Sequence, residues 1–146
     1  MPILTGNEIG ERWSIIRAAL KLSSAPTSDT NEKKLKNVLK ALLSGRATCW
    51  MTGNGRRPRT LVVTTIGIEE ISGTKNLLIY CAHAFEKETP QQYTEILEGI
   101  KAYAVSMGCD NILSYVWNEK MVKLLKLYGA ECNYTLCVFP VSKNLT

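Results

Sequence analysis

Few side chains in this chain of 146 residues could carry acid–base chemistry. His83 is the one histidine, and it lies near the end of a largely apolar run, where a neutral imidazole could act as a general base. Glu69 and Glu70 end the preceding run and are the other candidate bases. A histidine in a strand is also often a core or edge residue, and acids at strand ends are commonly solvated, so both interpretations stay open.

The cysteines do not form a metal-binding pattern. There are five of them, an odd number, widely spaced and without a C-x-x-C pair: Cys49, Cys81, Cys109, Cys132 and Cys137. With a single histidine beside them, a zinc site of the usual Cys/His type is not expected. In a reducing compartment they are interpreted as small buried hydrophobic residues.

Three arginines, Arg56, Arg57 and Arg59, cluster in the connection Gly-Asn-Gly-Arg-Arg-Pro-Arg. They are either an exposed turn or a docking point for phosphate or an acidic protein surface. The net charge of +5 favours an acidic partner, but it falls short of the dense basic footprint of a nucleic-acid-binding protein.

The elements that must position these residues begin with helices. Thr5–Glu8 has the spacing of a capping box and opens an amphipathic segment, which predicts a helix ending near Leu22. The same spacing at Asp29–Glu32 predicts a second helix, with Gly45 as its C-terminal cap. A third helix is predicted from Thr89-Pro90-Gln91-Gln92, with Thr89 as cap and proline at the first helical position.

Between the second and third helices, turn signals separate three runs rich in β-branched and aromatic residues: Ala47–Thr52, Thr60–Glu69 and Asn76–Phe85. They predict an antiparallel meander. A strand at Ile112–Trp117, a short helix after Asn118 and a strand at Asn133–Phe139 follow the third helix. Because no linker or repeat interrupts this order, we expect one α+β domain over residues 1–146, with Trp13, Trp50 and Trp117 in its core.

Composition supports a packed protein, since 45% of the residues are hydrophobic and 21% are charged. No apolar run approaches the roughly 20 residues that span a bilayer, so we expect no membrane association. The first residues lack the features of a signal peptide, which predicts the cytoplasm of the producing cell.

The order strand, Asn118, short helix, Gly129-Ala130 and strand resembles the C-terminal half of the GNAT (N-acetyltransferase) superfamily. The resemblance implies a GNAT-like mixed, twisted sheet flanked by helices on both faces. It also implies that Asn76–Phe85 and Ile112–Trp117 splay apart to admit the pantetheine arm of acetyl-CoA. A second likeness, to small GNAT-like proteins of tailed bacteriophages, implies a phage source and a virion-associated role; it rests on Gly108-Cys109, Ile112, Tyr115, Asn118 and Tyr134-Thr-Leu136.

The resemblance also assigns the phosphate-binding turn. GNAT proteins carry Arg/Gln-x-x-Gly-x-Gly/Ala after the central strand, whereas this chain has a glycine-free turn with Glu86, Glu88 and Pro90. Two carboxylates disfavour a diphosphate, and proline lacks an amide donor. The residues left as cofactor contacts are Phe85, Lys87, Thr89, Gln91, Gln92 and Asn118. Helix capping is the alternative role for the Thr, Gln and Asn side chains.

The tyrosine that many GNAT proteins use as general acid has no clear counterpart. Aligning Asn118 and Gly129 puts Leu125 at its position. Tyr128 lies three residues later, roughly 60° around the helix, and is the remaining candidate acid.

Two functions follow. The first is a pseudoenzyme, a GNAT-fold binding or structural module with a protein partner and no cofactor. The alternative is an acetyl-CoA-dependent N-acyltransferase acting on an amine, with His83 or water as base, because loss of an acid costs only about 10²–10⁴ in rate. Two independent signatures, the glycine-containing phosphate-binding turn and the general-acid tyrosine, are absent, which favours the pseudoenzyme.

Overall fold

The computed structural model describes residues 2–23, 31–116 and 118–141. The chain divides into two compact units, Met1–Tyr115 and Val116–Thr146, and each is considered by itself below. The interpretation of residues 1–146 as one domain stays a prediction.

The first unit opens with helices α1 (Gly6–Glu11) and α2 (Trp13–Ser23). The capping box at Thr5 is confirmed, because Thr5 and Glu8 each bind the other's backbone amide. The prediction of one continuous helix is wrong. Arg12 ends α1 with non-helical dihedral angles, and its carbonyl accepts from the amides that begin α2, so the chain turns there.

Helix α3 (Glu32–Ser44) is capped by Asn31, whose side chain accepts from the amide of Lys34. The expected cap Asp29 lies outside the described residues, and Glu32 is the first residue of the helix. Gly45 ends α3 in the left-handed region at φ 80°, as the sequence predicts.

Four strands form one sheet in the order β1-β2-β3-β4. Their bounds are Ala47–Gly53, Pro58–Ile68, Lys75–Ala84 and Asn111–Ser114. The first three are antiparallel, which confirms the meander, and β4 pairs parallel to β3. The predicted fourth strand is shorter than expected, since it ends at Ser114, and Trp117 lies outside the described residues.

Helix α4 (Pro90–Ser106) carries the predicted Thr89 cap and proline start. Each face of the sheet has its own core. One, packed against α1, α2 and α3, includes Ile16, Leu35, Cys49, Leu61 and Cys81, with Trp13 against it; the other, under α4, includes Trp50, Val62, Leu77, Ile96 and Ile100. The predicted α+β fold, a mixed sheet with helices on both faces, is therefore confirmed.

The second unit contains helix α5 (Glu119–Leu127), capped by Asn118 as predicted. The prediction of a strand at Asn133–Phe139 is wrong, because residues 131–141 have no regular secondary structure. Tyr134 and Phe139 in this segment are 83% and 88% exposed. A strand needs a neighbour for its backbone hydrogen bonds, and the described residues of this unit offer none, so the alternating pattern alone is not sufficient.

Candidate functional site

Strand β3 loses one neighbour halfway along its length. β4 pairs with it only over Asn76–Ile79, and among residues 31–115 no strand pairs with that edge further on. At the same point the register with β2 shifts, so that Tyr80 is an extra residue on β3. The second half of β3, up to Ala84, therefore keeps backbone groups on one edge that an amide-bearing ligand could pair with as an extra strand.

The turn that follows β3 has most of its backbone donors engaged. The amides of Phe85 and Glu86 both donate to the carbonyl oxygen of Arg59, at 2.7 and 3.2 Å. The amides of Thr89 and Gln92 donate to each other's side chains, at 2.8 and 3.2 Å. The capping alternative for these two side chains is thus confirmed, and their amides are not available to an anion.

The remaining amides of this turn do not belong to a glycine-containing, left-handed turn. They belong to Lys87, Glu88 and Gln91, and Pro90, which has no amide, interrupts them. One form of backbone nest alternates right- and left-handed residues. Among the described residues positive φ occurs at glycines alone, and this turn contains no glycine. The predicted loss of the phosphate-binding turn therefore has a backbone basis as well as a sequence basis.

The hairpin connection between β1 and β2 presents the three arginines. Gly53 turns the chain at φ 83°, where a Cβ would collide with the carbonyl oxygen of Arg57. The side chain of Asn54 accepts from the amides of Arg56 and Arg57, at 2.9 and 2.8 Å, and so closes the turn. These local bonds hold the arginines at the end of the sheet where β3 finishes.

Two of these arginines pair with the acids of the turn after β3. Arg57 Nε donates to Glu86 Oε1 at 2.8 Å, and Arg59 Nε lies 3.5 Å from Glu88 Oε1. The hydrogen bond to Glu86, followed by its charge, raises the pKa of Arg57. Arg56 is exposed and has no ion pair among the described residues.

Glu88 is a buried carboxylate, with its side chain 0% exposed. Its Oε1 accepts from the hydroxyl groups of Thr52 at 2.8 Å and Thr60 at 2.9 Å, while Oε2 is buried and has no partner among the described residues. Burial raises the pKa of this carboxyl, but the hydrogen bonds from the two threonines and the charge of Arg59 outweigh it. The pKa therefore lies below its usual value, and Glu88 is ionised.

This arrangement corrects the expected electrostatics of the turn. The sequence predicts that Glu86 and Glu88 both face an arriving phosphate, but Glu88 is buried and Glu86 is paired with Arg57. Charge repulsion is consequently weaker than the sequence suggests. What the turn lacks is the glycine-containing backbone that would direct several amides at one phosphate.

His83, the candidate base, is half-buried beside the open edge of β3. Its Nδ1 lies 2.7 Å from the hydroxyl oxygen of Ser23 at the end of α2, and its ring contacts Phe85 edge-on at 4.7 Å. Burial lowers the pKa of His83, so the imidazole is neutral near pH 7, the form a general base requires. Sequence reasoning missed Ser23, because no local pattern links residues 60 positions apart.

Glu69 and Glu70 are not part of this constellation. They follow β2 at the end where Ile68 pairs with Lys75, whereas His83 pairs with Leu61. Seven residues of strand separate the two places, more than about 20 Å.

The remaining candidate residues lie in the second unit. Asn118 Oδ1 accepts from the amide of Lys120 at 2.8 Å, so its capping role is confirmed. Tyr128 follows the last helical residue, and its amide donates to the carbonyl of Leu125. The predicted catalytic roles of His83 and Tyr128 stay predictions. So does cofactor contact by the predicted set, Phe85, Lys87, Thr89, Gln91, Gln92 and Asn118.

The rest of the described residues adds no metal site and no membrane-spanning helix. They contain no group of three or more His, Cys, Asp or Glu side chains able to hold a metal ion. None of the helices within the described ranges is long and apolar enough to cross a membrane. A shallow groove of about 450 Å³ lies at the opposite end of β1, lined by Arg46, Thr48 and Tyr103 among others, and none of the candidate residues lines it.

No protein-family model and no curated protein matches the sequence. Solved structures, in contrast, match the fold of this chain. A predicted acetyltransferase from Clostridium acetobutylicum, solved with acetyl-CoA, has a TM-score of 0.69 at 12% identity, with 94% of each chain covered. A putative acetyl transferase from Pyrococcus furiosus has a TM-score of 0.67 at 18% identity, covering 96% of this chain and 99% of that one. An aminoglycoside acetyltransferase from an uncultured soil metagenomic sample has a TM-score of 0.69 at 16% identity, covering 97% of both chains. At such low identity the likeness concerns the fold, and this chain has the fold of the GNAT acetyltransferases.

Proposed function

We propose that this chain is a GNAT-fold binding or structural module that does not use acetyl-CoA as a substrate. The observation that supports the proposal is the turn between β3 and α4. It has no glycine and no residue with positive φ, and four of its amides are bound within the protein. A diphosphate arriving there meets three scattered amides and the side chain of Lys87, in place of a concave set of donors.

The proposal includes a protein partner and a virion-associated location. The phage-like residues around Gly108-Cys109 and Tyr134-Thr-Leu136 support the location. Arg56 and Lys87 are exposed cations on two turns that the Arg57–Glu86 ion pair joins, and they support an acidic partner surface.

Thermal unfolding in the presence of acetyl-CoA tests the first part. We expect no change in the melting temperature at 5 mM acetyl-CoA relative to 5 mM ATP, a nucleotide control without the pantetheine arm. A ligand present at 100 times its Kd stabilises a protein by about 2.7 kcal/mol, which is readily detected. A concentration-dependent rise with acetyl-CoA alone would refute the proposal.

A second function, an acetyl-CoA-dependent N-acyltransferase acting on an amine, has one observation in its favour. The open edge of β3 ends beside a neutral His83 whose ring is held by Ser23 and Phe85. An arm lying along this edge would pass that base, and an amine can attack a thioester directly.

Product analysis distinguishes the two functions. The chain is incubated with acetyl-CoA and a set of primary amines at pH 7.5, and acetylated amine is measured by mass spectrometry. Our proposal predicts no product above the uncatalysed reaction. Product formation that falls roughly 10²–10⁴-fold in His83→Gln would establish the second function in its place.

A further inference from the structure

A groove of about 450 Å³ lies at the end of the sheet opposite the turn that follows β3. The start of β1, the second half of β2 and the last turn of α4 bound it. Its volume falls within the range of small-molecule pockets, about 300–1,000 Å³. The groove is therefore large enough to hold a small ligand.

The lining of the groove becomes polar on a face of the sheet that is apolar elsewhere. Trp50 and Val62 pair across β1 and β2 and are buried under α4. One pair further along the same face, Thr48 is opposite Thr64, and both line the groove. A buried hydroxyl group costs free energy unless it is hydrogen-bonded, so these two positions require polar partners.

The protein satisfies these hydroxyl groups in part. Thr64 is 1% exposed, and its Oγ1 accepts from Trp50 Nε1 at 3.0 Å. A hydroxyl group also donates, and no acceptor for the Thr64 hydrogen occurs among the described residues. Thr48 Oγ1 and Tyr103 Oη are 3.5 Å apart, longer than a well-formed O–H···O bond. The three hydroxyl groups can therefore bind an oxygen atom of a ligand.

The edge-on contact between Trp50 and Tyr103 fixes one wall of the groove. Their ring centroids are 5.0 Å apart with an interplanar angle of 80°. Since Trp50 is buried and also bonds to Thr64, the phenol of Tyr103 is held in place before a ligand arrives. A preformed wall lowers the entropy that binding costs.

One cation lies at the groove. Arg46 is the one charged residue among the described residues that line it, and it makes no ion pair within the described ranges. Its Nε donates to Ser44 Oγ at 3.1 Å, and its carbonyl accepts from Thr65 Oγ1 at 3.1 Å. A guanidinium group is suited to binding a carboxylate through two parallel hydrogen bonds. Ile66 and Met107 supply apolar lining beside it.

We propose that this groove binds a small monocarboxylate with an apolar body. Arg46 binds the carboxylate, the hydroxyl groups of Thr48 and Tyr103 bind an oxygen, and the apolar body contacts Ile66 and Met107. A single guanidinium matches a single negative charge. The inference goes beyond the proposed function and does not rest on it, because no described lining residue of the groove belongs to the turn before α4.

A matched pair of probes tests the proposal at pH 7.5. 3-Phenylpropionate carries a carboxylate and a ring, whereas 3-phenylpropionamide has the same shape without the charge. Each is titrated to 20 mM while the amide spectrum of the protein is recorded by NMR. We expect saturable shifts at Arg46, Thr48 and Thr65, and binding of the carboxylate at least fivefold tighter than that of the amide.

Variants separate the charge from the apolar lining. Arg46→Gln should weaken binding of 3-phenylpropionate at least fivefold and leave 3-phenylpropionamide unchanged, whereas Met107→Ala should weaken both probes. Arg56→Gln, at an exposed arginine near the opposite end of β1, is the matched control and should change neither. Circular dichroism checks that each variant is folded.

Three results would overturn the proposal, and each leaves the proposed function intact. The first is the absence of saturable shifts at the groove with either probe. The second is equal affinity for the two probes, which would exclude recognition of the carboxylate. The third is an equal loss in Arg56→Gln and Arg46→Gln, which would show that binding does not depend on the groove.

Discussion

Replacing Glu88 by alanine removes a buried carboxylate that links the turn before α4 to the ends of β1 and β2. The side chain is fully shielded from solvent, and its Oε1 accepts from Thr52 at 2.8 Å and from Thr60 at 2.9 Å. Arg59, at 3.5 Å, adds a looser contact. The substitution leaves both hydroxyl groups without their charged acceptor.

The magnitude follows from these contacts. A hydrogen bond to a charged group contributes about 1.5–3 kcal/mol, so two well-formed bonds amount to about 3–6 kcal/mol. Burial of the charge and the unpartnered Oε2 offset part of this sum. We therefore expect Glu88→Ala to lower the free energy of unfolding by about 2–4 kcal/mol. In a chain of this size that corresponds to a fall in Tm of roughly 6–12 °C.

Urea unfolding followed by circular dichroism measures the loss, and Glu86→Ala is the matched control. The side chain of Glu86 is 36% exposed and pairs with that of Arg57, which is 78% exposed. Glu86→Ala should therefore lower the free energy of unfolding by less than about 1 kcal/mol. If Glu88→Ala loses no more stability than Glu86→Ala, the buried carboxylate does not hold this turn, and the reasoning is wrong.

Three further predictions follow from single residues. Burial lowers the pKa of His83 below its ordinary 6.5, so the unfolded chain binds its proton more readily, and stability should fall as the pH drops below about 6.5. Urea midpoints at pH 7.5 and 5.5 measure this loss of stability, which should be smaller in His83→Gln. An equal loss in the variant would contradict the prediction. Burial raises the pKa of the thiols of Cys49 and Cys81 to about 12. At pH 8 a thiol reagent should therefore label the exposed Cys137 rapidly, and Cys49 and Cys81 only after denaturation. Mass spectrometry measures the labelling of each cysteine. Thr89→Ala removes the cap of α4 and should lower the free energy of unfolding, measured by urea titration, by about 1 kcal/mol. Thr94→Ser, inside the same helix, is the control and should lower it by less. Equal losses would argue against the capping box.

Much of the fold could be predicted because its signals are local. The capping boxes at Thr5 and Thr89 and the left-handed Gly45 each involve residues within one turn of helix. The meander follows from alternating patterns between short turns. Such signals involve residues that are close together in the chain, so they can be recognised in a single sequence.

The features that were missed depend on distant partners. The break at Arg12 divides a segment whose periodicity is continuous. The strand expected at Asn133–Phe139 would require a neighbour that the described residues of its unit do not provide. Periodicity records which face of an element is apolar, but it does not record which element lies opposite.

The candidate site shows the same limit. The missing glycines and Pro90 are visible in the sequence, but the bonds between Arg59 and Glu88 and between Ser23 and His83 join residues 29 and 60 positions apart. The sequence therefore predicted an acidic turn, whereas the folded chain neutralises one acid and buries the other. The threonines that make this burial possible, Thr52 and Thr60, resemble ordinary strand residues until the third strand and its turn are placed beside them.

The central claim is that main-chain nitrogens of the turn before α4 do not hold a diphosphate. Phosphorus NMR of coenzyme A, titrated with the protein to millimolar concentration, observes that group directly, and amide spectra observe Lys87, Glu88 and Gln91. We predict unchanged diphosphate resonances and unchanged amide shifts. Broadened or shifted diphosphate signals, with saturable shifts of those three amides, would contradict the account.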